Sequence, residues 1–227
     1  IEGVLLPSRF TSKESRNDAL ALLQNLHIPY REISIEPPLN GFLDTLQYHP
    51  KEVDLPFENL QARVRGSILM TLSNHEGGLL LSTSNKSELA MGYFTQYGDA
   101  CGALTPLGDL FKTEIYTLAH HINKNREIIP KSILEKPASA ELRKGQKDED
   151  SLPPYAILDP ILKELIVNKR SIKETAKLTQ QEYSFIEEIN KRIHLAEYKR
   201  KQAPLILRVS EKAFNVGRYI HICQKYF

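Results

Sequence analysis

Gly3-Val4-Leu5-Leu6-Pro7, then Thr11-Ser12-Lys13-Glu14, then Tyr30-Arg31-Glu32-Ile33-Ser34-Ile35 are the segments that set the architecture. The first is a short apolar run ended by proline, the pattern of a buried strand. The second has the Thr-x-x-Glu form of a capping box, and Ala19, Leu22, Leu23 and Leu26 continue it as one apolar helical face. Tyr30 to Ile35 reads as the next strand. A strand, a helix and a strand in that order pair in parallel, because only a crossover brings the chain back to the same end of the sheet. The expected class is α/β, and a second strand, helix, strand unit should follow.

Pro56 begins a longer helical pattern, with Leu60, Val64, Ile68 and Leu72 on one stripe and Gly77-Gly78 as its stop. Leu79-Leu80-Leu81 then reads as a buried strand. Strand signals fade beyond residue 120. Residues 130–154 are rich in Pro, Lys, Glu and Asp without periodicity and read as a long mobile loop. Two further capping boxes follow, Ser171 to Glu174 and Thr179 to Glu182, and Tyr183, Ile186, Ile189 and Ile193 form an apolar stripe after the second. The C-terminal part is expected to be mainly helical. No internal repeat is present.

Of the 227 residues 41% are hydrophobic and 26% charged, the composition of an ordinary globular domain. Thirty basic against 28 acidic residues give a net charge of +2, far from the strongly basic balance of a nucleic-acid-binding domain. A few Lys and Arg in one pocket can still bind a small phosphorylated ligand. Cys101 and Cys223 are too few and too far apart for a disulfide framework or a metal site, which fits a reducing, cytoplasmic setting. No apolar run is long enough to cross a membrane, and the N-terminal residues lack the pattern of a signal peptide.

Three clusters carry chemistry. Ser82-Thr83-Ser84-Asn85-Lys86-Ser87-Glu88 stands where a strand runs into a helix, the carboxyl end at which open α/β sheets bind ligands. Its hydroxyls suit a phosphate, and Glu88, one turn on, could hold Mg²⁺. Asn85 and Glu88 read equally as a helix cap, the commoner role of such residues. Gly92-Tyr93-Phe94-Thr95-Gln96-Tyr97-Gly98-Asp99 sets three aromatics among polar groups, suited to stacking on a planar ring or to a core. Lys112 opens a helix, where a cation is misplaced unless an anion lies nearby. Tyr198-Lys199-Arg200-Lys201-Gln202-Ala203-Pro204, taken alone, is the solvated end of a cationic helix.

In this order the segments resemble the NAD synthetases, most of all the synthetase half of the glutamine-dependent type. The resemblance covers essentially the whole chain. It runs through Glu58-Asn59-Leu60-Gln61-Ala62-Arg63-Val64-Arg65, Ser82 to Glu88, Phe94 to Asp99, the Lys112 helix, Pro137-Ala138-Ser139-Ala140-Glu141-Leu142, Gln146 with Asp148 to Asp150, and Tyr198 to Pro204. It implies the doubly wound parallel sheet of the adenine-nucleotide α-hydrolase-like, N-type ATP pyrophosphatase fold with a helical C-terminal part. It also implies a two-step reaction: the carboxylate of deamido-NAD attacks the α-phosphate of ATP, and ammonia displaces AMP from the adenylate. By resemblance Ser8, Arg9, Thr83, Lys112 and Ser139 contact ATP, and Glu88 holds Mg²⁺, Lys112 and Glu88 being the catalytic pair. Asn59, Arg63, Gln96 and Lys199 contact deamido-NAD, Tyr93 stacks on the nicotinate ring, and Asp99 lies near it. A homodimer built on the helix after Pro56 is expected.

The family's Ser-Gly-Gly-x-Asp-Ser phosphate loop, which would precede the first strand by one βα unit, is absent from these 227 residues. The expectation is a single domain over residues 1–227, incomplete at its N-terminal end and inactive alone, with residues 130–154 as an active-site loop within it. Tyr198 stands where the ammonia-dependent enzymes have His, which favours the glutamine-dependent kind; whether ammonia is free or supplied from glutamine stays open. The alternatives are another ATP pyrophosphatase of this fold, such as a GMP synthetase or a tRNA-thiolating enzyme, and a non-catalytic dimerisation or regulatory module.

Overall fold

The computed structural model describes residues 1–214, 218 and 220–223. Strand β1 (Gly3–Leu5) pairs in parallel with strand β2 (Tyr30–Glu32), Gly3 opposite Tyr30 and Leu5 opposite Glu32. Helix α1 (Lys13–Asn25) connects them. The pairing is as expected, but the strands are shorter and β1 is only half-buried. The cap of α1 is Ser12, whose hydroxyl accepts from the Ser15 N–H at 3.0 Å, and not Thr11. Thr11 Oγ1 instead accepts from the Ser8 N–H, closing the turn before the helix. Two adjacent hydroxyls compete there, and moving the cap by one residue takes Glu14 out of the reciprocal position.

Two helices follow β2, and the second strand, helix, strand unit comes after them in reduced form, Leu81 bridging in parallel to Leu104 across one intervening helix. The chain enters helix α2 (Glu36–Leu46), with Pro37 and Pro38 in its first turn, where a missing N–H costs no hydrogen bond. Helix α3 (Leu55–Glu76) is capped by the Asp54 side chain on the Phe57 N–H and stops at Gly77, whose φ of 72° is left-handed. Leu60, Val64 and Ile68 of its stripe pack with Ile35, Leu39, Leu43 and Phe57 into a small core.

Leu79 to Leu81 is not the buried strand that its apolar run suggested. Leu79 is 80% exposed, and the segment makes one parallel bridge, Leu81 to Leu104. One backbone edge is satisfied, by Ser82 N–H on Leu104 C=O and Ala103 N–H on Leu80 C=O, while the other faces an open cavity with no strand against it. Helix α4 (Lys86–Met91) follows. Strand β3 (Leu104–Thr105) pairs in parallel with β4 (Leu205–Ile206), so the parallel strands form two pieces, β1 with β2 and β3 with β4.

Helices α5 (Lys112–Ile122), α6 (Lys131–Glu135), α7 (Tyr155–Leu162), α8 (Ile172–Thr179), α9 (Tyr183–Leu195) and α10 (Glu197–Arg200) make up most of the remainder. A π-helical turn, Lys163–Val167, follows Pro160 of α7. The main core is Leu89 of α4, Leu158, Ile161 and Leu162 of α7, and Ile186, Ile189 and Ile193 of α9, each at most 2% exposed. Burying one such side chain contributes about 1.5–3 kcal/mol. Ser171 and Glu174 form the expected box at α8. Thr179 does not cap α9: its hydroxyl donates to the Thr175 C=O, because it still belongs to the last turn of α8. Between residues 130 and 154 the chain holds α6 and one 3₁₀ turn, Asp148–Asp150, and buries Gln146, Asp148 and Leu152. Among the described residues no helix is long and apolar enough to cross a membrane.

α3 meets the turn Thr95 to Asp99 by close backbone approach. A Cβ on Gly66 would lie 2.6 Å from the Tyr97 C=O oxygen and 3.0 Å from that of Gly98. Alanine gains about 1 kcal/mol of helix propensity over glycine, but overpacking against backbone costs roughly 1–3 kcal/mol. The clash dominates, so Gly66→Ala is expected to lower the urea midpoint; a raised midpoint would mean that the turn moves aside freely.

Candidate active site

The open edges of β1 and of Leu79 to Leu81 face a cavity of about 1910 Å³, walled by α1, α3 and the loop after α6. At its far wall stand the starts of two helices. Glu88 is the third residue of α4 and Lys112 the first of α5; Lys112 Nζ lies 3.3 Å from Glu88 Oε1. The other carboxylate oxygen, Oε2, accepts from the Asn85 N–H at 3.1 Å, and Asn85 Oδ1 accepts from the Glu88 N–H at 3.0 Å. One oxygen thus caps the helix, and the other faces the Lys112 ammonium. Burial raises the Glu88 carboxyl above the ordinary range, with the charge of Asp148 adding and Lys112 opposing. Lys112 also rests over the Tyr155 ring at 5.4 Å.

A second group gathers around the turn that follows α4. Gly92, with φ 65°, ends that helix, and its Cβ position would fall 2.7 Å from Ala196 Cβ, so glycine is required there. Lys199 Nζ donates to the Gly92 and Phe94 carbonyls at 2.8 and 3.0 Å. Asn59 Oδ1 accepts from the Thr95 hydroxyl at 2.7 Å, Arg63 Nε donates to the Gln96 C=O at 3.3 Å, and Asp99 Oδ1 accepts from the Thr95 N–H at 2.8 Å. Burial lowers the Lys199 ammonium from its ordinary value, and nearby Asp99 opposes that shift. Asp99 opens to the cavity yet is enclosed on the protein side, and this enclosure raises its carboxyl. The Tyr93 hydroxyl is buried without a hydrogen-bond partner, and burial beside the charge of Asp148 raises its pKa.

Thr83, Glu88, Lys112 and Ser139 share one cavity with Asn59, Tyr93, Asp99 and Lys199. Ser139 Oγ accepts from the Glu141 N–H. Arg63 and Gln96 sit on the outer side of the turn and do not line the cavity. Ser8 and Arg9 stay outside it too: the Arg9 guanidinium is held by the Glu36 carboxylate and by Asn40 Oδ1 at 3.1 Å, although Leu6 and Pro7 beside them are in its wall.

Several residues of the quoted motifs have contacts that the motifs do not specify. Asp148, 5% exposed, accepts from the Tyr155 hydroxyl at 2.9 Å. Arg65 donates from Nε to the Leu6 C=O at 3.0 Å, tying α3 to the end of β1. Arg200, which read as the solvated end of a cationic helix, is 1% exposed and pairs with Glu197 at 2.9 Å. It donates to the Leu89 and Ala90 carbonyls and so closes the C-terminal end of α4. No periodicity announces a cation aimed at another helix's carbonyls.

The family model described as NAD synthase matches residues 1–203. The chain belongs to the NAD synthase family. The glutamine-dependent NAD(+) synthetase of Thermotoga maritima is 43% identical over 218 residues, covering 94% of this chain and 38% of that protein. Among solved structures, the glutamine-dependent NAD+ synthetase of Acinetobacter baumannii, in complex with ADP, superposes with a TM-score of 0.58 at 32% identity, over 97% of this chain and 40% of that one. The NH3-dependent NAD synthetase of Campylobacter jejuni superposes at 0.68 and 30% identity, over 91% and 78%. The chain spans about two fifths of the length of the curated relatives it matches. Membership accounts for the α/β class and the parallel pairing.

The sign of the Glu88 shift yields a test. A carboxyl whose folded pKa is raised keeps its proton longer in the folded state, so stability is lost as pH rises from the ordinary carboxylate range through the raised value. Glu88→Gln removes that dependence. Urea denaturation should show the unsubstituted protein losing stability relative to Glu88→Gln as pH rises through that window; a constant difference would mean that Glu88 titrates normally.

Proposed function

We propose that this chain is the synthetase part of an enzyme that carries out ATP-dependent amidation of deamido-NAD to NAD, through an adenylate, releasing pyrophosphate and AMP. The observation that carries the reading is the Lys112–Glu88 pair facing, across one cavity, the group formed by Asn59, Tyr93, Asp99 and Lys199. In the first step a deamido-NAD carboxylate oxygen bonds to the α-phosphorus of ATP and the bond to pyrophosphate breaks. In the second, ammonia adds to the acyl carbon, AMP leaves and the nitrogen loses a proton. Lys112, with Thr83 and Ser139, would neutralise and orient the phosphates, while Lys199, Tyr93 and Asn59 hold the nicotinate end.

Mg²⁺ belongs to the same proposal. Among the described residues no group of three or more acidic, Cys or His side chains could cage a metal, but Mg²⁺ is ordinarily held by one or two carboxylates together with substrate phosphates. Glu88 Oε1 fits that role, and the ion would supply charge neutralisation on the phosphates. The Asn59 to Arg65 pattern favours this reading over a GMP synthetase-like or tRNA-thiolating one, and the source of ammonia, free or from glutamine, is left to the assay. A homodimer is supported by family resemblance alone, since the α3 stripe packs inside the chain. A cytoplasmic setting is supported by two free cysteines; sedimentation and cell fractionation test these two points.

The test uses the full-length protein with ATP, Mg²⁺, deamido-NAD and either ammonium or glutamine. Lys112→Ala and Glu88→Ala are each expected to cut NAD formation by about 10²-fold or more, the scale of losing one transition-state charge contact. Near-normal turnover in both variants rejects the proposed roles.

The loop of residues 130–154 is proposed to move with ligand. Its polar ties to the rest of the chain include Gln61 Nε2 to the Leu142 C=O, the Arg143–Glu58 ion pair, Glu141 on the Ser12 and Ser15 hydroxyls, Ser132 on Asp18 and the Tyr155 hydroxyl on Asp148. Exposed ion pairs contribute little. Hydrogen exchange of the loop amides should slow when an ATP analogue and deamido-NAD are added; equal rates in both states reject closure.

A further inference from the structure

Asp159 lies on α7, away from the cavity walls and 3% exposed. Its Oδ1 accepts from the Ser87 hydroxyl at 2.6 Å, and its Oδ2 accepts from both the N–H and the hydroxyl of Thr113 at 2.8 Å. The Ser87 oxygen in turn accepts from the Lys112 N–H at 3.0 Å. Ser87 directly precedes Glu88, and Thr113 directly follows Lys112. These bonds therefore grip the backbone on either side of the ion pair without touching either charged group. Both helices need the grip. α4 has only six residues, and the cap residue of α5, Phe111, has no side-chain acceptor to offer, so the carboxylate of a third helix supplies the missing cap.

We propose that Asp159, acting through Ser87 and Thr113, is a positioning residue that sets the spacing of Lys112 and Glu88. Its geometric part stands on the hydrogen bonds alone; its catalytic part rests on the function proposed above. A carboxylate suits the position because all its bonds there are accepted. Asn at 159 would turn an NH₂ either toward the Thr113 N–H, donor against donor, or toward Ser87, whose hydroxyl then receives from both sides.

The experiment uses the full-length protein bearing Ser87→Ala, which cuts the link and leaves Asp159 on Thr113, with Asp159→Asn as the second variant. Lysines are reductively methylated with formaldehyde and cyanoborohydride, and the rate at each position is read by peptide mass spectrometry. Lys112 should react several-fold faster in either variant, while Lys86, which is in the same helix as Ser87 but is paired with buried Asp109, keeps its rate. An unchanged Lys112 rate, or equal acceleration of Lys86, overturns the proposal, since the bonds then serve only general stability. In the amidation assay kcat should fall about ten-fold or more, short of the roughly 10²-fold that a 1 Å misplacement can cost, and neither substitution should lower it further in a Lys112→Ala background. Multiplying effects in that background overturn the catalytic part. If the unsubstituted protein forms no NAD while Lys112 labelling responds as expected, the functional reading fails and the positioning stands.

Discussion

A helix of six residues does not persist in water by itself; its few hydrogen bonds cannot offset the cost of nucleating it. α4 exists because two buried cations hold its ends. At the front Lys86 Nζ meets Asp109 Oδ1 at 2.7 Å and Ser210 Oγ at 2.9 Å; at the back Arg200, over the Phe214 ring, takes the Leu89 and Ala90 carbonyls. Stripping water from two cations is costly, and the carboxylates of Asp109 and Glu197 compensate for it. What these pairs provide is location more than stability. Fixing α4 fixes Glu88 in its first turn and Gly92 at its end, and the turn to Asp99 then follows.

The same economy governs Glu88. A side chain that only capped would leave its second oxygen in water, and one that only faced the cavity would leave the Asn85 N–H unpaired. Dividing the oxygens lets local helix chemistry fix the rotamer of a group whose remaining lone pairs point at the cavity. Burial beside Asp148 makes the ionised form expensive, and Lys112 is the nearby positive charge that offsets the expense.

Local order was legible where one stretch of chain determines it. The β1, α1, β2 unit, the α3 stripe with its Gly77 stop, the Ser171 box and the Ile186, Ile189, Ile193 face all follow from periodicity and capping chemistry. Motif resemblance singled out the candidate site residues, and most of them line one cavity. What escaped depends on partners distant in sequence. Leu79 to Leu81 has the composition of a buried strand but lacks a neighbour on one edge; Arg9 has the charge for a phosphate but finds Glu36 first. Arg200, Asp148 and Asp159 look solvent-facing until α4 and α7 pack, because a buried charge is recognisable only from the group that compensates it.

The two parallel pieces leave facing edges on either side of the cavity. In a parallel ladder alternate residues direct their N–H and C=O groups to opposite edges, so with Gly3, Leu5, Leu80 and Ser82 engaged outward, Val4 and Leu81 turn theirs toward the cavity. Leu69, Leu72 and Leu79 line that cavity between them. Unpaired strand edges offer N–H and C=O groups to an extended segment. An extended segment lying in the cavity would pair with either edge and join the two pieces into one sheet.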